Sequence, residues 1–196
     1  MEIKLASEKD CFQIAEIHFK EIKHGFLNQL GKEFLGYFYS AMINSPNAFL
    51  IIAEENNSVI GFVSGSTNLK KFCKEFFRKY IFKSFLIFLK KIFSFDIFKK
   101  VFETIKYSQK EKKDLPRSEL LSIAVIQDFQ GRGIARKLLE KFISEMKKKN
   151  INSFKVIVGE NLIQANKFYQ KNGFEFHSKD AVHKDTPSNI YVYKIV

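Results

Sequence analysis

The stretch Leu121-Ser-Ile-Ala-Val-Ile-Gln-Asp-Phe-Gln-Gly-Arg-Gly-Ile-Ala-Arg136 holds the residues whose types and spacing point most directly to chemistry. An apolar run ends, the chain turns, and a glycine-rich step opens a basic amphipathic helix. That order aims several backbone N–H groups at one point. A helix N-terminus carries roughly half an elementary positive charge and exposes unpaired donors, so it receives anions. Gly131 and Gly133 have no Cβ, which lets a diphosphate approach the main chain closely. The segment reads as a phosphate cradle. A second constellation, Ala165-Asn-Lys-Phe-Tyr169 followed by Asn172-Gly-Phe174, sets a phenol on a helix stopped by an Asn-Gly pair.

Other elements must hold these two groups in place. Ile3 to Leu5 read as a short strand, and Ser7-Glu-Lys-Asp10 as a helix cap. Phe12, Ile14, Ala15, Ile17, His18 and Ile22 follow at helical spacing. A second helix spans about residues 32–43 and stops at Asn44-Ser-Pro46. Residues 48–54 and 58–64 form a hairpin around Glu55-Asn-Asn57. The near-continuous apolar run from Glu119 to Ile126 predicts a strand at the centre of a sheet. The spacing then predicts a helix over 131–149, a strand over 153–158, a helix over 162–171, and closing strands over 174–177 and 189–195. The class expected is α/β, with a mixed central sheet flanked by helices in one domain covering residues 1–196.

Residues 69–113 differ from the rest. They hold 13 Lys and one Arg against four acids, a net charge of +10 within a chain of net +12, and 10 of the 23 Phe. Neither Gly nor Pro interrupts them, so helices are expected there. Lys beside Phe, Leu and Ile is also the composition of helices that lie on membrane surfaces. Three readings stand for this segment: a lid or packing element, a membrane-surface contact, or compositional bias of the whole chain.

A chain of 196 residues with 45% hydrophobic residues folds as one ordinary domain. The positive balance favours acidic partners, and nucleic acid, anionic lipid and polyphosphate ligands all qualify. Two cysteines, Cys11 and Cys73, make no disulfide framework, and no Cys/His group has zinc spacing, so no metal is expected. The opening Met1-Glu-Ile-Lys-Leu-Ala-Ser7 reads as a strand and not as an apolar leader, which makes a cytoplasmic location the expectation.

Gln130-Gly-Arg-Gly133-Ile-Ala135 after a strand, and then Ala165 to Tyr169 with Asn172-Gly-Phe174, occur in an order and separation that are jointly specific. The chain resembles the GNAT superfamily, the Gcn5-related N-acetyltransferases. The resemblance is strongest over about residues 118–176 and weaker over 1–67. It implies a mostly antiparallel sheet in which two central strands splay apart, with residues 69–113 as a helical insertion between the third and fourth strands. It implies acetyl-CoA as acetyl donor and a primary amine as acceptor. The pyrophosphate would lie on the backbone of Gln130, Gly131, Arg132, Gly133, Ile134, Ala135 and Arg136, and the pantetheine arm along Ile123, Ala124 and Val125. Arg132 and Arg136 either add charge at the phosphates or form a solvated helix face.

Tyr169 matches the family tyrosine that hydrogen-bonds or protonates the departing thiolate, a task suited to a phenol with a pKa near 10. The family often carries Asn three residues before the alanine of the second motif. That position is Leu162 here, which leaves Asn161 and Asn166 as candidate cofactor contacts. Glu119, at the start of the strand before the cradle, is the expected general base. Glu160, His177 and His183 are the alternatives. A small-molecule amine, such as a nucleotide-linked amino sugar, would suit the basic chain. A protein or peptide acceptor, or a non-enzymatic basic module at RNA or membrane, is the alternative. Nucleic acid is not the expected partner, and the state expected is monomer or homodimer.

Overall fold

The structure, a computed structural model, describes residues 1–23, 26–79, 114–183 and 186–195. Strand β1 (Glu2–Leu5) leads through a short 3-10 turn into α1 (Cys11–Glu21). A one-turn helix, α2 (Phe26–Gln29), precedes α3 (Lys32–Ile43). Strands β2 (Ala48–Glu55) and β3 (Ser58–Ser66) form a hairpin whose turn places Asn56 and Asn57 at φ 50° and 60°. Asn tolerates that left-handed region better than most residues. Helix α4 occupies 69–79. The site elements follow: β4 (Glu119–Val125), α5 (Ile134–Lys148), β5 (Ser153–Gly159) and α6 (Ile163–Lys171). β6 (Glu175–His183) and β7 (Thr186–Lys194) close the chain.

The seven strands form one sheet in the order β1-β2-β3-β4-β5-β7-β6. All neighbours are antiparallel except β4 and β5, so the sheet is mixed, as the element order predicts, and mostly antiparallel, as the family resemblance implies. Helix α4 lies between β3 and β4, where an insertion was expected. Residues 80–113, the rest of that expected insertion, lie outside the described residues.

Alternation along the strands builds two cores. Phe49, Ile51 and Ala53 of β2 face α5 and α6, in a cluster with Leu138, Phe142, Phe154 and Tyr169. Ala48, Leu50 and Ile52 face the other side, where Ile14, Leu35, Tyr39 and Met42 cover them. Helix α4 joins this second core. Phe72 and Phe76 are buried, and both meet Phe38 edge-on at 5.6 and 5.7 Å. Glu75 anchors the helix by accepting hydrogen bonds from Ser45 and Asn47, each at 2.6 Å.

Two polar groups lie deep in the second core. His18 Nδ1 is 2.5 Å from the Tyr39 hydroxyl, and both side chains are buried. His18 Nε2 is buried with no hydrogen-bond partner. Burial pushes the imidazole down to about 4, so it is neutral near pH 7.

Candidate active site

The cradle forms as its glycines dictate. Gly131 and Gly133 adopt φ of +76° and +78°, a region in which an L side chain is strained. The helix therefore begins at Ile134, three residues after the sequence expectation. The cost of that delay is a row of unused donors. Among the described residues, no backbone carbonyl accepts from the N–H groups of residues 131–136, and the first helical bond runs from Lys137 to Gly133 O at 3.1 Å. A Cβ built on either glycine would meet nothing within 4 Å, so the space above the loop is open.

Gln130 stands outside this row. Its N–H donates to Gln127 O at 3.1 Å, and its side-chain amide donates to Val125 O at 2.8 Å. It ties the loop to the end of β4. Arg132 lies over the Phe129 ring at 4.8 Å, and Arg136 pairs with Glu140 at 3.0 Å. Both guanidinium groups are at the surface beside the row of donors.

The second feature is a wedge in the sheet. β4 and β5 pair at Glu119↔Lys155 and Leu120↔Val156 and nowhere further along. Each keeps its outer neighbour: β4 follows β3 as far as Val125, and β5 follows β7 as far as Gly159. The two strands therefore part after Leu120. Leu121, Ser122, Ile123 and Ala124 are only half-buried although β4 is the middle strand, as the opening requires. The register of β3 against β4 jumps from Ser64↔Ser122 to Gly65↔Leu120, which leaves Leu121 as a bulge at the point of divergence.

Glu119 sits at the apex of the wedge, 6% exposed. Lys155 Nζ lies 3.3 Å from its Oε2 and donates to Pro116 O at 2.7 Å. Among the described residues Oε2 accepts no hydrogen bond, although the Lys155 ammonium lies close to it. Burial raises the Glu119 carboxyl above the ordinary carboxylate range, with Lys155 opposing that shift. A carboxylate so raised is a better base near neutral pH. The other candidate bases are placed differently. Glu160 pairs with Lys179, and His177 lies 3.5 Å from Asp114, both at the surface. The His183 side chain lies outside the described residues.

Tyr169 is 5% exposed and is held edge-on by Phe168 at 5.3 Å and Phe174 at 5.0 Å. Its hydroxyl has no hydrogen-bond partner among the described residues, and it is not sealed from solvent. Burial raises the phenol, so it carries its proton at neutral pH and can act as a donor. Asn161 is exposed, with its Oδ1 2.9 Å from where a Cβ on Gly159 would stand. Asn166 is buried, and its amide is fully engaged. It donates to Gly159 O at 2.9 Å and to Leu162 O at 2.8 Å, and accepts from Asn189 at 2.8 Å and Tyr191 at 2.9 Å.

Sequence reasoning passed over Lys155 and the Asn166 partners. Lys155 carried a signal, as a lone charge inside the apolar run Phe154 to Val158. Among the described residues no group of three His, Cys, Asp or Glu side chains could hold a metal ion. No described helix is long and apolar enough to cross a membrane.

Known proteins provide an independent comparison. The yncA protein of Salmonella typhimurium, solved with its cofactor acetyl-CoA, superposes with a TM-score of 0.64 at 17% identity, over 100% of this chain and 94% of its own. PaiA N-acetyltransferase of Thermoplasma acidophilum, in complex with coenzyme A, gives 0.62 at 16% identity, over 99% of each chain. The ribosomal-protein-S18-alanine N-acetyltransferase of Escherichia coli gives 0.63 at 14% identity, over 99% of this chain and 93% of its own. At these identities the likeness is one of fold. No curated protein sequence matches the chain. The model of the acetyltransferase (GNAT) family matches residues 15–174, which span both cores, the wedge, the cradle and Tyr169, and the chain belongs to that family.

Proposed function

We propose that this protein transfers the acetyl group of acetyl-CoA to a primary amine by direct attack on the thioester. The observation that carries the reading is the wedge between β4 and β5 with six free N–H groups at its mouth. A linear thioester with a diphosphate at one end fits that combination. The N–H groups of residues 131–136 receive the pyrophosphate, with Arg132 and Arg136 adding charge at the rim. Ile123, Ala124 and Val125 offer their inner edge to the pantetheine arm, as a sheet edge accepts an added strand. Asn161 borders the arm from the start of α6.

Glu119 takes the proton that the acceptor ammonium must lose before it attacks. The amine nitrogen bonds to the acetyl carbon, the C–S bond breaks, the Tyr169 hydroxyl protonates the departing thiolate, and the second amine proton returns to the Tyr169 oxygen as the amide forms. Among the acceptors, a small amine bearing its own phosphates, such as a nucleotide-linked amino sugar, suits the net charge of +12. A protein N-terminus is the second reading, since one protein of the same fold acetylates the alanine of a ribosomal protein.

Calorimetric melting with and without acetyl-CoA tests the donor. At a hundredfold excess over Kd, mass action adds about 2.7 kcal/mol, which raises Tm by roughly 5–10 °C in a domain of this size. No shift at millimolar acetyl-CoA would leave the chain as a basic binding module. An acceptor panel of nucleotide amino sugars, spermidine and short peptides then tests the second half. Turnover confined to peptides moves the assignment to protein acetylation.

A further inference from the structure

A splayed sheet needs a cause. The inner edges of β4 and β5 carry N–H and C=O groups that a closed sheet would pair, and unpaired neighbouring edges tend to zip together. β4 is held back by β3 on its outer side. The other half of the opening depends on what holds the end of β5.

That end is Gly159, and its carbonyl is doubly bound. It accepts from the Leu162 N–H at 3.0 Å and from the Asn166 amide at 2.9 Å. The same amide reaches Leu162 O, so it closes the junction between β5 and α6. Its oxygen accepts from Asn189 and Tyr191, both on β7, the strand on the far side of β5 from the wedge. An Asn side chain has two donors and one oxygen with two lone pairs, and all of this capacity is in use. One of the four bonds grips the end of β5 directly, and the other three fix Asn166 to the start of α6 and to β7, on the side of β5 away from β4. Asn166 also stands one helical turn before Tyr169, so whatever fixes one sets the height of the other.

We infer that Asn166 is a positioning residue for acetyl transfer: it holds the β4–β5 wedge open and seats Tyr169 beside it. The inference rests on the proposed use of the wedge by acetyl-CoA. It also departs from the expectation that Asn166 touches the cofactor itself, since its amide is saturated by protein groups.

Hydrogen–deuterium exchange on the unliganded protein tests the inference without any turnover. In Asn166→Ala the strands are free to zip, and peptides covering residues 119–127 and 153–162 gain protection relative to wild type. Ordinary destabilisation would lower protection in both. Asn166→Ser serves the same purpose if the alanine variant does not fold. The dissociation constant for acetyl-CoA rises at least tenfold in either variant. Ile14→Val, a core truncation on the opposite face, lowers Tm but leaves that constant unchanged. Unchanged or lowered protection in the Asn166 variants overturns the inference, and so does a dissociation constant that tracks Tm across all variants. If wild type itself binds no acetyl-CoA, the functional reading fails, while the exchange data still decide whether Asn166 governs the opening.

Discussion

Tyr169 and Glu119 have opposite relations to their surroundings, and that contrast makes them separable by mutation. The Tyr169 hydroxyl makes no hydrogen bond among the described residues, so Tyr169→Phe removes a proton donor and leaves the packing rings in place. We expect kcat to fall about 100-fold, the low end of what acid–base groups contribute, with Tm unchanged within about two degrees. A rate equal to wild type would remove the acid role. Glu119 is in contact with Lys155, so Glu119→Gln leaves an ammonium without its counter-charge. In wild type, burial places the rising limb of kcat/KM against pH above the ordinary carboxylate range. In Glu119→Gln that limb should disappear. If the limb persists, the proton leaves by another route. Motif order alone singled out Tyr169 and Glu119 as candidates. It hid the contacts of Asn166, because its partners Asn189 and Tyr191 come from a strand 23 and 25 residues further along.

At the scale of elements, the turn between β4 and α5 carries the most function in the fewest residues. Gly133→Ala places a Cβ at φ +78°, which costs roughly 1–2 kcal/mol for an L residue, or a few degrees in Tm. That methyl points into otherwise open space, where the phosphates are proposed to lie. We expect Kd for acetyl-CoA to rise tenfold or more, a loss of at least about 1.4 kcal/mol in binding. Isothermal titration with acetyl-CoA would check it, and a drop in Tm with unaltered binding would move the anion site elsewhere. The order of elements was readable from periodicity, and α3 was placed to the residue at 32–43. The start of α5 was not, because two left-handed glycines delay the helix to Ile134. Helix α2 escaped notice because one turn is too short to show a period. The wedge is legible only through the family resemblance, since by its residues alone an apolar strand reads the same whether its neighbour is paired or parted.

The molecule as a whole carries a titratable weakness in its second core. His18 is 1% exposed and neutral, with its folded-state value lowered to about 4 from an ordinary 6.5. The unfolded chain therefore binds more protons than the folded one between these limits, and stability is lost as pH falls from 6.5 toward 4. The loss attributable to His18 is about 3 kcal/mol at pH 4. Urea denaturation of wild type and His18→Gln across that window should show a steeper decline for wild type. Parallel curves would mean that His18 takes up a proton without disturbing the fold. In the sequence His18 looked like one more core-facing position on α1. Nothing there announced that it meets Tyr39, 21 residues away.

Phe142 touches both sides of the parting. It stacks on Phe49 of β2 at 5.0 Å and meets Phe154 of β5 edge-on at 5.1 Å, above Gly65, where any Cβ would come within 2.4 Å of the ring. The seven described strands are thus two half-sheets spliced by two residue pairs at one end, with Phe142 among the core side chains that lie under both. Two residue pairs resist flexing of one half against the other less than a fully paired seam would. A molecule lying between β4 and β5 would act as a spar across that seam, supplying the bracing that the missing main-chain bonds do not.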